Sequence, residues 1–147
     1  MLKPGEAAPD FAVGSSTLHA LLARGPAVVF FYPKAFTPTC TVEASEFRDR
    51  HHELARSGAS VVGVSADTQE RAEAFRASLE LPFPMVGDPE GAILRAYRVR
   101  WPLVGWAQRV TYVIGRDGTV RDAHHSELSG KGHVAQACSR VKKEPLA

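Results

Sequence analysis

The sequence predicts an α/β fold in which a mixed central β-sheet is flanked by helices on both faces, and three observations carry that prediction. Two apolar runs, Ala27 to Phe31 and Ser60 to Ser65, read as buried strands, and each is followed by residues at helical spacing. Strands that alternate with helices pair in parallel, and right-handed crossovers then place helices on both faces of the sheet. Two later runs, Arg109 to Ile114 and Thr119 to His125, are joined by GRDG, a hairpin signal that adds an antiparallel side. At 147 residues the chain suits one domain, residues 1–147, with enough apolar surface for a single core.

Taken in order, residues 1–10 carry Pro4, Gly5, Pro9 and Asp10 and read as an irregular lead-in, with a short edge strand at Phe11 to Val13. Ser16 or Thr17 can cap a short helix that turns Leu18, Leu21 and Leu22 inward and stops at Gly25 and Pro26. After the strand at Ala27 to Phe31, Pro33 and Pro38 prevent further regular pairing, so a loop follows. Helical spacing begins at Cys40, with Thr37 or Thr39 available as cap. Cys40, Ala44, Phe47, His51 and Leu54 share the face that packs on the sheet. Gly58 closes a turn before the second strand. Asp67 or Thr68 caps a helix through Leu79 with Ala72, Phe75 and Leu79 on one face, and Pro82 and Pro84 end it. A short strand is expected at Phe83 to Val86, a helix from Asp88 and Pro89 to near Tyr97, and a last helix from Gly132 to Lys142 after the hairpin. No repeat, low-complexity tract or linker interrupts this order.

The net charge of +2 comes from 18 basic and 16 acidic residues without a block of one sign, which gives no case for nucleic acid as a partner. The N-terminus MLKPGEAAPDF lacks a charged region followed by an apolar run, and no stretch approaches the roughly 20 apolar residues of a membrane span. A soluble cytoplasmic protein with no membrane partner is expected. Its two cysteines stand 98 positions apart in a chain with an adequate core, which suggests one working thiol in a reducing compartment rather than a disulfide scaffold.

Free cysteines usually serve as small buried apolar residues, and position is what sets Cys40 apart. At a helix N-terminus, unpaired N–H groups and the positive end of the dipole favour a thiolate, the nucleophilic form. Thr37 can turn its hydroxyl toward the sulfur, although a plain helix cap also explains it. Pro33, at the strand exit, can shield the site without competing as a donor. Arg109 and Glu43 also have ordinary readings, a solvated strand end and a first-turn acid.

Pro33, Thr37 and Cys40 spell PxxxTxxC, and with them the chain resembles the peroxiredoxins. The likeness continues through GEAAPDF, VVGVSADTQERAEAF, LPFPMVGDPEGAILRAYRV and RVTYVIGRDGTV. It is closest to the Q-type, or bacterioferritin-comigratory, group, whose active-site helix often reads CTxEACxFRD where this chain has CTVEASEFRD. Many members carry a second, resolving cysteine five residues after the first; here that residue is Ser45.

The resemblance implies a thioredoxin-like fold and a thiol-dependent peroxidase that reduces hydrogen peroxide and organic hydroperoxides with no metal, haem or flavin cofactor. It makes Cys40 the attacking thiolate, places Arg109 against it, and gives Glu43 the task of holding that arginine. Thr37 and Arg109 would align the peroxide while Pro33 limits water. Arg48 either joins this cluster or lies on the exposed face, and Phe36 either covers the pocket or packs on the surface. Without a thiol at position 45, Cys40 must be restored by an external thiol such as thioredoxin, glutaredoxin or a low-molecular-weight thiol, or through Cys138. The spacing of Val134, Cys138 and Val141 favours a core role for Cys138, and hence a one-cysteine cycle.

The neighbouring pairs His51–His52 and His124–His125 point apart and suggest no metal site. Trp101 and Trp106 wall the pocket, form a dimer contact or simply pack; a monomer or homodimer fits the family. A peroxide sensor or redox-regulated binding protein, using Cys40 oxidation as a switch, is the alternative of a different class. A disulfide reductase is disfavoured because no CxxC pair is present.

Overall fold

The computed structural model describes residues 1–127 and 129–144. Its main sheet has five strands: β3 (Ala27–Phe31), β4 (Ser60–Ser65), β5 (Met85–Gly87), β6 (Val110–Ile114) and β7 (Val120–His125), in the order β5-β4-β3-β6-β7. The β3–β4 and β4–β5 pairs are parallel, whereas β3–β6 and β6–β7 are antiparallel, so the sheet is mixed as expected. A separate hairpin of β1 (Ala12–Val13) and β2 (Ser16–Thr17) stands where an edge strand was expected; these residues pair with each other and not with the main sheet.

Central strand β3 is buried along its whole length, as its unbroken apolar run requires. Its side chains alternate between two cores. Ala27, Val29 and Phe31 enter one with α1 (Leu18–Leu22) and α5 (Ala92–Ala96). Val28 and Phe30 enter the other with α2 (Pro38–Asp49), α3 (His51–Arg56), α4 (Gln69–Ser78) and α6 (Gly130–Val141). Helices therefore cover both faces. No described helix is long and apolar enough to cross a membrane.

Several expected boundaries move, each for a physical reason. The helix that carries Cys40 ends at Asp49, because Arg50 leaves helical geometry at φ −104° and ψ 8°; a short second helix then keeps Leu54 buried, while His51 is half-buried. The β5 ladder starts at Met85 rather than Phe83. Pro84 has no N–H to give, although its carbonyl accepts from Gly63 N at 3.2 Å. Asp88 and Pro89 open a turn and not a helix. Gly91 sits at φ 77°, its N–H donates to Asp88 O, and the Asp88 carboxylate reaches past the turn to accept from Leu94 N, so α5 begins only at Ala92. The last helix begins two residues before Gly132, capped by the Ser129 hydroxyl.

The topology brings two distant segments to one end of the sheet. In the antiparallel β3–β6 register Phe31 faces Val110, so Arg109, one residue earlier, lies beside the exit of β3 where the chain turns toward Cys40. Phe30 stacks on Phe47 at 4.5 Å between ring centroids, fixing α2 against the same strand.

Candidate active site

The loop from Pro33 to Thr37 is built to deliver Cys40 to a buried position. Asp67 holds its middle: one carboxylate oxygen, Oδ2, accepts from Ala35 N at 2.8 Å and from Ser65 Oγ at 2.7 Å. Phe36 then takes φ 68°, a left-handed conformation that costs a bulky residue energy and that the surrounding contacts must hold. Thr37 is the residue before α2, but its hydroxyl does not cap a backbone N–H. It donates to Lys34 O at 2.8 Å, leaving the oxygen lone pairs free to accept. Cys40 follows as the third residue of α2 and is 1% exposed.

One turn on, Glu43 points to the same interior, fully buried. Arg109 spans both: Nη1 donates to Glu43 Oε1 at 2.9 Å and Nη2 donates to Cys40 Sγ at 3.2 Å. Three of the five residues singled out from the sequence thus meet in one cluster, and Thr37 stands one turn before the sulfur. One buried cation here faces two groups that can carry negative charge. Burial pushes the Glu43 carboxyl up to about 8 against the pull of Arg109, so near neutral pH much of it is an uncharged acceptor.

Behind this cluster lies a network that the sequence did not reveal. His133 of α6 is fully buried; Nε2 is 2.8 Å from Ser126 O and Nδ1 is 2.8 Å from Thr111 Oγ. Arg109 is also gripped by its backbone, its N–H donating to Glu127 Oε2 and its carbonyl accepting from Ser126 N. A lone histidine within GKGHVAQ gives no local signal, and only the packing of α6 on β6 creates the contact. Asp67 was read as one of two possible helix caps; Thr68 takes that role, which releases Asp67 to brace the loop.

Among the described residues, the remaining candidates make no hydrogen bond to this cluster. Pro33 borders a surface cleft with Lys34, Asp67, Arg71 and Trp106. Phe36 is 46% exposed, edge-on to Phe75 and beneath the Arg71 guanidinium. Arg48 does not join the cluster: it bonds Asp49 and the Leu79 carbonyl, tying α2 to the end of α4. Trp101 and Trp106 are exposed in a loop closed by the Trp101 N to Trp106 O bond, with Lys34 over the Trp106 ring. His51 packs against Phe83, His124 stands edge-on to His133, and His125 bonds Glu127.

Cys138 is buried in the core that α6 shares with α2 and α3, and that burial raises its pKa. The charges that act on it are Arg50, Glu53, Lys142 and Glu46, all at the far end of α2 from Cys40. Ten residues of helix between Cys40 and Arg50 amount to roughly 15 Å of rise. A disulfide, with Cα atoms less than about 7 Å apart, would require α2 to unwind.

Comparison with known proteins places this arrangement. The AhpC/TSA family profile matches residues 4–123. Peroxidoxin BcpB from Mycobacterium tuberculosis has a crystal structure that superposes with a TM-score of 0.89 at 34% identity, covering 97% of each chain. The bacterioferritin comigratory protein of Xanthomonas campestris, whose structures were described for its alkyl peroxide reduction activity, superposes with a TM-score of 0.82 at 26% identity over 95% of this chain and 98% of that one. The chloroplastic peroxiredoxin Q of Sedum lineare is 34% identical over 110 residues, 74% of this chain and 59% of that protein. With its mixed thioredoxin-like sheet, this chain belongs to the AhpC/TSA family and is a peroxiredoxin similar to the Q, or bacterioferritin-comigratory, members.

Proposed function

We propose that this thiol-dependent peroxidase works through Cys40, with Arg109, Thr37 and Glu43 around it, and that an external thiol restores it. The observation that carries the assignment is the Arg109 fork, one arm on the Cys40 sulfur and the other on Glu43. A guanidinium fixed at the sulfur offers N–H donors to peroxide oxygens and to the charge that develops as the O–O bond breaks. Thr37, its proton engaged by Lys34, can accept the hydroperoxide hydrogen, so the peroxide is oriented from both sides. Pro33, at the outer end of this loop, limits water without adding a donor.

The Cys40 thiolate attacks the terminal oxygen of ROOH, so an S–O bond forms as the O–O bond breaks. Sulfur is oxidised by two electrons to sulfenic acid, and the released alkoxide or hydroxide takes a proton to become alcohol or water. A thiol then condenses with the sulfenic acid, releasing water and leaving a mixed disulfide. A second thiol displaces Cys40 from it. Thioredoxin, glutaredoxin and low-molecular-weight thiols are the proposed reductants, and a thiol-rich cytoplasm is the proposed setting. Ser45 can form no disulfide, and the burial of Cys138 at the far end of α2 supports the one-cysteine cycle.

Steady-state peroxide consumption with a thiol donor tests the proposal. Repeated turnover is expected, abolished by Cys40→Ser. A single stoichiometric oxidation would point to a peroxide sensor instead, and activity retained in Cys40→Ser would remove Cys40 from the mechanism.

A further inference from the structure

We propose that His133 is a positioning residue for the peroxidase reaction, one that locks the strand bearing Arg109 to the segment after β7 and closes the back of the Glu43 pocket. The inference rests on the Cys40 reading above but concerns a residue outside its motifs. The ring's chemistry can be read from its partners. Ser126 O can only accept, so Nε2 carries the proton; in a neutral ring Nδ1 must then accept, and Thr111 is the donor. Thr111 stands two residues after Arg109 on β6 and so projects to the same face. The Ser126 N–H meanwhile donates to the Arg109 carbonyl. One imidazole thus ties Thr111, two residues along the chain from Arg109, to Ser126, whose N–H bonds the Arg109 carbonyl.

The ring also faces Glu43. Nδ1 lies 3.7 Å from Glu43 Oε2, a buried oxygen with no hydrogen-bond partner among the described residues. The bond from Thr111 occupies Nδ1 and keeps the ring from competing with Arg109 for that carboxyl. The other ionisable groups around His133 are Arg109 before β6 and His124 and His125 on β7, with Glu127 next to them. Both the histidines and Arg109 oppose a positive charge on the ring, and its burial does so more strongly.

The test compares two rates at Cys40: oxidation by hydrogen peroxide, which needs Arg109 in register, and alkylation by iodoacetamide, which needs only an accessible thiolate. His133→Ala should lower peroxide oxidation by about 10 to 100-fold and alkylation by much less, the loss expected when reacting groups shift by about 1 Å. Thr111→Val keeps the side-chain shape but frees Nδ1 to take a proton toward Glu43. The acid limb of its peroxide rate profile should move to higher pH. If both rates fall together in His133→Ala, or if Thr111→Val leaves the pH profile unmoved, His133 is a core residue and the proposal is overturned; the second variant decides if the first does not fold. Wild-type protein in which peroxide fails to oxidise Cys40 would instead remove the Cys40 assignment itself.

Discussion

Arg109 is the residue on which the proposed chemistry turns, because its guanidinium bonds both Cys40 and Glu43. Lysine keeps the charge but cannot span two partners with a planar fork, so Arg109→Lys should cut the second-order rate of peroxide reduction by about 10² to 10³, the usual cost of a lost charge-stabilising donor. Stopped-flow measurement with hydrogen peroxide would show it. Glu43→Gln should behave differently. A carboxyl pushed up to about 8 already serves near neutral pH as an uncharged acceptor, a role an amide can fill, so the rate should stay within about tenfold of wild type. A loss as large as that of Arg109→Lys would mean that the ionised carboxylate is needed. Cys40 and Thr37 stand out locally, in a loop with prolines before a helix, whereas Arg109 is singled out only by the resemblance, since an arginine opening an apolar strand is ordinarily a solvated strand end. His133 and Asp67 do not stand out, since a histidine on α6 and an aspartate after β4 gain meaning only from segments distant in sequence.

At the scale of elements, α2 carries Cys40, the proposed nucleophile, and is seated by Phe47, which stacks on Phe30 of the central strand. Phe47→Ala should cost about 3–5 kcal/mol in urea denaturation through the cavity it leaves. The same helix separates the two thiols. Cys138→Ser should therefore preserve peroxide turnover with a small thiol donor, and loss of turnover with folding intact would make Cys138 a resolving residue. The bounds of β3 and β4 were readable to the residue because a strand buried on both faces is a short run of apolar, β-branched residues, bounded in β4 by a serine at each end. Those of β5 and α5 were not. There a proline carbonyl extends the ladder past the true strand, and an aspartate caps a helix from beyond a left-handed glycine, both tertiary details.

For the molecule as a whole, the buried site leaves a mark on the pH dependence of stability. The folded-state pKa of Glu43 is raised, so between about 4.5 and 8 the native state holds a proton that the unfolded chain releases. Its contribution is complete below about 4.5 and is lost as pH rises through about 8. Wild type and Glu43→Gln should thus differ little more at pH 5 than their uncharged side chains dictate, and wild type should fall relative to the variant by pH 8 in thermal melts. His133 works in the opposite sense. Burial pushes it down to about 4, so its neutral form supports the fold above about 6.5 and that support is lost as pH falls through about 4, at a cost of about 3 kcal/mol. The mixed sheet that frames these groups was predictable from the order of strands and helices. The pairing of Phe31 with Val110, which sets Arg109 beside the Cys40 loop, was not, because register emerges only when the hairpin docks on the central strand.

The most direct test of the account is peptide mass spectrometry after one equivalent of hydrogen peroxide, with a sulfenic-acid trap and no reductant. The account predicts trapped sulfenic acid on Cys40 and a free thiol on Cys138. A Cys40–Cys138 disulfide, or oxidation that spares Cys40, would contradict it.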